Sequence, residues 1–166
     1  MRLRICALDE ISRFIGTATH VISIIDPEDV EFLPKMSLKK ANHLVLPCHD
    51  VVSVREAMVR KARMPRSSCV APTKAMVKLA LEFGRQLPAD HFILIHCHQG
   101  ISRSTAIALA LLCERQPEIR ETDVLQQVLA LRREASPNRL IVAYADQLLG
   151  RRGRMNRAVS ALYGKI

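Results

Sequence analysis

With 166 residues, 49% of them apolar and 25% charged, the chain can bury a core without disulfide or metal staples, which excludes a predominantly disordered protein. The longest apolar run, residues 105–113, is far short of a bilayer span, which excludes an α-helical membrane protein. A formal net charge of +9 favours an anionic partner: nucleic acid, an acidic membrane face or a phosphorylated substrate.

Strand and helix patterns alternate along the first two thirds of the chain. Residues 2–8 alternate apolar and polar side chains and predict a strand, and residues 9–14 predict a short helix. His20–Ile25 is β-branched and ends at Asp26-Pro27, and His43–Pro47 is a second short apolar run, so both predict strands. Helical spacing with a basic outer face follows over 51–62. Pro72-Thr73 then opens a helix whose apolar positions are Met76, Val77, Leu79, Ala80 and Phe83. Phe92–Ile95 is apolar on both faces, as in the middle of a parallel sheet. Residues 104–114 are apolar on nearly all sides and predict a buried helix. Thr122 is expected to cap a helix over 123–133, with Val124, Leu125, Val128, Leu129 and Leu131 as its apolar positions. Ser136-Pro137-Asn138 starts a further helix through Leu149, which Gly150 ends. The tail, 151–166, predicts a helix with five positive charges and no acid. This pattern predicts one α/β domain over 1–166, a central, mostly parallel sheet of four to five strands flanked by helices, with a helical C-terminal layer.

The cysteines, at 6, 48, 69, 97 and 113, are odd in number and form no CxxC pair. The first residues mix charge with apolar side chains and lack the continuous apolar core of a signal peptide, so reduced thiols and a cytoplasmic location are expected.

Chemistry concentrates in FILI-HCHQGISRS-TAIALALLC, a predicted strand, a tight loop and a predicted buried helix. A loop between a strand end and a helix start turns its N–H groups into an anion-sized cup at the positive end of the helix dipole. Gly100 admits a backbone conformation that a side chain would forbid. Cys97 lies at the cup's floor, where the helix N-terminus and Arg103 favour the reactive thiolate. The planar fork of Arg103 can hold two phosphate oxygens, and Ser104 can donate to the sulfur when it leaves. Adjacent residues in a strand point to opposite faces, so His96, Cys97 and His98 do not converge on one ion, and no metal or other cofactor is expected.

His96-Cys97-(five residues)-Arg103-Ser104 resembles the signature of the cysteine-dependent protein tyrosine phosphatases. GISRS followed by a small-residue helix is most similar to the dual-specificity and bacterial members. The likeness covers residues 43–157 and is strongest over 93–110; SPNRLIVAYADQLLGRRGRM is similar to the C-terminal helices of a bacterial tyrosine-phosphatase-like family. The resemblance implies a phosphatase-like fold and metal-free hydrolysis through a cysteinyl-phosphate on Cys97. His98, Gln99, Gly100, Ile101, Ser102 and Arg103 would bind the phosphate, and His96 would support the cysteine from beneath the loop. The general acid would be an Asp after an upstream strand; Asp50 fits best, Asp90 is the main rival although it sits at the far end of its strand, and Asp26 is the next candidate. The basic segment 51–71 would be an insertion relative to compact dual-specificity enzymes.

Gln99 departs from the family, where a small residue is common, and the loop lacks the lysines of members that favour inositol phospholipids. A phosphorylated protein, with phosphotyrosine foremost, is therefore the expected partner, and another acidic phosphomonoester comes next. The basic run Arg55, Arg60, Lys61, Arg63 and Arg66 is either a solvated face or an acidic docking surface. Aromatic residues are 4% of the chain and none interleaves with these charges, which weakens a nucleic-acid reading. Three alternatives stand beside the phosphotyrosine hydrolase: a non-catalytic phosphate- or phosphoprotein-binding module, sulfur transfer or arsenate reduction through the same thiol, and, within the hydrolase class, an RNA 5′-phosphatase. Cys48, Cys69 and Cys113 read as core or partly buried residues, with a resolving cysteine for Cys97 as the alternative.

Overall fold

Four parallel strands, β1 (Arg2–Cys6), β2 (His20–Ile25), β3 (His43–Pro47) and β4 (Phe92–His96), form one sheet in the order β1-β4-β2-β3. The computed structural model describes residues 2–34, 42–63, 69–88 and 90–164. The expected fold class holds, with four strands and with β4 in the interior of the sheet as its two apolar faces require. The first strand ends at Cys6 rather than Leu8, because residues 8–10 turn into a single 3-10 coil. The predicted helix over 9–14 is accordingly that coil followed by one turn of helix, α1 (Ile11–Phe14).

Alternation along each strand sorts the core into two layers. On one face Ile5, Ile22, Ile24, Leu46, Ile93 and Ile95 pack under the helical layer. On the other, Cys6, Val21 and Leu94 pack against Ile11 and Ala18, with Phe14 and Ile15 partly covering them. The helical layer comprises α2 (Val54–Arg63), α3 (Lys74–Arg85), α4 (Arg103–Arg115), α5 (Glu121–Leu131), α6 (Arg139–Leu148) and α7 (Arg154–Tyr163). Helix α4 is its centre: from Arg103 to Leu111 every residue is buried, so its all-round apolar sequence meets neighbours on every side. Among the described residues no helix is long and apolar enough to cross a membrane.

Helix ends follow local chemistry where a short polar side chain is available. The Thr73 hydroxyl accepts from the Met76 amide at 3.2 Å at the start of α3, and Asn138 Oδ1 accepts from the Leu140 and Ile141 amides at 3.1 Å at the start of α6. Gly150, at φ +64°, lets the chain leave α6. Three expectations change, the first being that Leu131, placed on the apolar face of α5, is exposed. Leu79, placed on the apolar face of α3, is exposed, while Leu81 and Gly84 are buried. Thr122 does not cap α5, which begins at Glu121 after Arg120.

The reason for the earlier start is tertiary. Glu121 is buried and its Oε1 accepts from Arg151 Nη1 at 3.2 Å and from Arg154 Nε at 2.9 Å. Arg151 also donates to the carbonyls of Pro117, at 3.0 Å, and Cys113, at the C-terminal end of α4. Asp146 fastens the last helix, accepting from the Gly153 amide at 2.6 Å and the Met155 amide at 2.8 Å. Arg151→Ala is expected to destabilise the protein by about 3 kcal/mol, because it leaves the buried Glu121 carboxylate with Arg154 alone and takes the Arg151 donor from the Pro117 and Cys113 carbonyls. Urea unfolding with an unchanged m-value would read that loss. A loss below about 1 kcal/mol would place this cluster among ordinary surface pairs.

Candidate active site

A parallel sheet brings the C-terminal ends of all its strands to one edge. Here that edge gathers Ala7 after β1, Asp26 after β2, Cys48–Asp50 after β3 and Cys97 after β4. Asp90 precedes β4 and therefore lies at the opposite edge, where it pairs with His91 at 3.3 Å. Geometry alone removes it from the site.

The loop 97–102 joins β4 to α4. Gly100 has φ +70°, and a Cβ there would lie 2.6 Å from the Cys6 carbonyl carbon and 2.8 Å from the Ala7 nitrogen. Only glycine permits this close approach to the end of β1. Four loop carbonyls are held from outside. His98 O accepts from the Leu8 amide at 3.0 Å, and Gln99 O accepts from Arg132 Nη2 at 3.2 Å. Ile101 O and Ser102 O accept from the amides of Ser136, at 2.9 Å, and Asn138, at 3.2 Å. Because a trans peptide sets its N–H opposite its C=O, the amides of Gln99, Gly100, Ser102 and Arg103 turn the other way, into the cup. The N-terminus of α4 adds its dipole at the same point.

Cys97 is buried beneath this cup, with Sγ 3.2 Å from Ser104 Oγ. Arg103 is 3% exposed. Its Nη1 donates to Asp26 Oδ1 at 2.5 Å and to the Cys48 carbonyl. Its Nε is buried without a hydrogen-bond partner, 3.9 Å from Asp50 Oδ2. Asp26 thus anchors one side of the guanidinium and leaves the other with an unmet donor, a costly arrangement that an oxyanion would relieve.

Asp50 Oδ1 accepts from Ser102 Oγ and from Asn138 Nδ2, each at 2.8 Å, and Asn138 Nδ2 also donates to Val51 O at 3.0 Å. The carboxylate is therefore fixed against the loop while its side chain remains 38% exposed. It is not the cap of α2: Ser53 Oγ accepts from the Glu56 amide at 3.1 Å and fills that role. A cleft of about 340 Å³ brings together Asp26, Asp50, Arg60, Cys97, His98, Gln99, Ser102 and Arg103. Ile101 instead faces a neighbouring groove of about 670 Å³ with Leu8, Glu10, Arg13 and Arg132, so its part in the cup is its backbone. Arg66 of the basic run lies outside the described residues.

His96 sits below the loop, fully buried, with Nε2 2.6 Å from Ser23 Oγ; the same hydroxyl lies 2.7 Å from His43 Nε2. This chain of polar atoms crosses β4, β2 and β3, and nothing local to His96 announces Ser23 or His43. Burial pulls the His96 pKa down to about 4 and also lowers that of His43. The folded state therefore binds fewer protons than the unfolded chain below its ordinary His pKa of 6.5. Stability is full above pH 6.5 and falls as the pH drops toward 4, with His96 accounting for about 3 kcal/mol. His96→Asn should flatten this part of the stability–pH curve in urea titrations, and parallel curves for the two proteins would refute the assignment.

Two rim groups carry donors of the kind metals use, Asp26 with Glu28 and His49, and Asp26 with Asp29 and His98. Their atoms are engaged with one another and with Arg103: His49 with Glu28 at 3.1 Å, His98 with Asp29 at 3.2 Å. Cys48 and Cys113 are buried, Cys69 is partly so, and burial pushes the thiols of Cys6, Cys48 and Cys113 up to about 12.

No protein-family model matches the sequence, and no curated protein does either. Solved structures do share the fold. The PTP-2 phosphatase of Cydia pomonella superposes with a TM-score of 0.62 at 19% identity, covering 89% of this chain and 85% of its own. PTPMT1, also solved in complex with PI(5)P, gives 0.63 at 16% identity over 99% and 96%. DUSP15 gives 0.58 at 22% identity over 99% and 92%. At these identities the likeness is one of fold, and the fold is that of tyrosine and dual-specificity phosphatases.

Proposed function

We propose that this chain is a metal-independent phosphomonoester hydrolase that works through a cysteinyl-phosphate, with protein phosphotyrosine as its substrate. The observation that carries this reading is one cleft lined by both Cys97 and a buried Arg103 whose Nε has no hydrogen-bond partner. An inert buried cysteine has no use for such a neighbour.

In this reading the phosphoryl group enters the cup with its equatorial oxygens on Arg103 and on the amides of Gln99, Gly100, Ser102 and Arg103. The Cys97 thiolate attacks phosphorus in line and a P–S bond forms as the P–O bond to the leaving group breaks. Asp50 gives its proton to the departing oxygen. Water then attacks the cysteinyl-phosphate with Asp50 taking its proton, and the sulfur leaves as a thiolate that accepts from the Ser104 hydroxyl 3.2 Å away. Positive charge comes from Arg103, the amides and the helix dipole, which is the electrostatic work that metal ions do in other phosphoryl-transfer sites.

Phosphotyrosine is favoured over an inositol phospholipid because the loop HCHQGISRS contains no lysine. The test is turnover of an aryl phosphate in chelator and fresh reductant, followed by acid quench and mass analysis of the peptide holding Cys97. Turnover with a phosphoryl adduct on Cys97 is expected. A folded, reduced protein that binds inorganic phosphate without turning over the ester would support the binding-module alternative instead.

A further inference from the structure

One cation of the cleft has no part in this mechanism. Arg60 lines the same cavity as Cys97 and Arg103, yet it comes from α2, after Asp50. We infer that Arg60 forms a second anion subsite at the cleft rim, which selects phosphorylated substrates carrying another acidic group beside the phosphate. The inference rests on the hydrolase reading and adds a determinant of substrate choice to it.

The placement of Arg60 has a cause in the sequence. Ser53 and Glu56 start α2 just after Asp50, with Glu56 Oε2 accepting from the Val52 amide at 2.8 Å. One turn on, at the i+4 position from Glu56, stands Arg60, and its Nη2 donates to Glu56 Oε1 at 2.7 Å. Both members of this pair are partly exposed, at 51% and 32%, and such pairs hold their partners loosely. Arg60 thus lines the cleft with a guanidinium held only by this loose pair, which it can exchange for an anion of a ligand.

Its surroundings favour that exchange. Helix α2 buries only Ala57, and its charged residues are Arg55, Arg60, Lys61 and Arg63 against the single carboxylate of Glu56, with Val54, Met58 and Val59 also exposed. Within the cleft Arg103 is committed to Asp26 and to the phosphate, and Asp26 and Asp50 make the mouth acidic. A ligand with a second anion would be repelled there unless a cation met it. The planar fork of Arg60 suits either a carboxylate or a phosphate.

The experiment uses three phosphotyrosine peptides, identical except that the neighbouring residue is neutral, an aspartate or a phosphoserine. The two acidic peptides separate a carboxylate from a phosphate as the natural second anion. Wild type is expected to favour at least one of them over the neutral peptide in kcat/KM. Arg60→Ala should reduce that preference by about fivefold, Arg60→Lys should restore part of it, and Arg60→Glu should reverse it. Lys78→Ala, which removes the same charge from the exposed face of α3, should leave the preference unchanged. No preference in wild type, a preference indifferent to Arg60, or an equal loss in Lys78→Ala would each overturn the subsite. Calorimetry on Cys97→Ser, with and without Arg60→Ala, gives the same ratio as binding. A protein that binds with this preference and does not turn over would therefore refute the hydrolase and keep the subsite.

Discussion

Cys97→Ser should stay folded and lose aryl-phosphate hydrolysis by about 10^4-fold or more. The side chain is buried, and oxygen is slightly smaller than sulfur, so the exchange creates neither overlap nor a stranded polar group: Ser104 Oγ, 3.2 Å from the sulfur, can bond the new hydroxyl. The chemistry, in contrast, changes at both steps. A serine hydroxyl is protonated at neutral pH, and in this site the nearest ordered partners are Ser104 and the loop amides, none of which can take its proton. Any phosphoserine that formed would not be cleaved, since an alkoxide is a far poorer leaving group than a thiolate. Activity in chelator, with circular dichroism to confirm folding, checks both halves of this expectation. A serine variant within tenfold of wild type would sink the covalent mechanism and point to a contaminating or metal-dependent activity.

Much of the architecture is legible because it is local. His20–Ile25 and His43–Pro47 are strands with the predicted limits, since short apolar runs ended at or beside a Pro need no long-range information. The loop 96–104 is legible for the same reason: strand, glycine, arginine and helix stand next to one another in the sequence. What is not legible is whatever two distant segments decide between them. Asn138 reads as the start of a helix, and it is, yet its amide also holds Asp50 across 88 positions. Ser23 reads as a polar interruption of a buried strand, and becomes meaningful only when register places it beside His96. Glu121 has no periodicity that would bury it, and the two arginines that do so lie 30 and 33 residues later. Only a pairing rule spanning the fold could find these, and no local pattern encodes one.

Asp50 is the residue for which this matters most, because a general acid is defined by its position over the leaving group. Asp50→Asn keeps the hydrogen bonds from Ser102 and Asn138 on Oδ1 and removes only the transferable proton. Its effect should depend on the leaving group. With p-nitrophenol, which departs readily as an anion, kcat/KM should fall by about tenfold or less. With phenol or a tyrosyl peptide it should fall by about 10^2- to 10^3-fold, since the oxygen must then be protonated as the bond breaks. The alkaline shape of the pH profile, where loss of the acid ordinarily lowers kcat/KM, should flatten in the variant. Asp26→Asn makes the discriminating comparison. Asp26 shares the cleft, but its oxygen is spent on Arg103 Nη1, so its loss should slow all substrates alike by loosening the guanidinium. If the leaving-group dependence appears in Asp26→Asn and not in Asp50→Asn, the two carboxylates exchange roles, and the loop after β2 carries the acid.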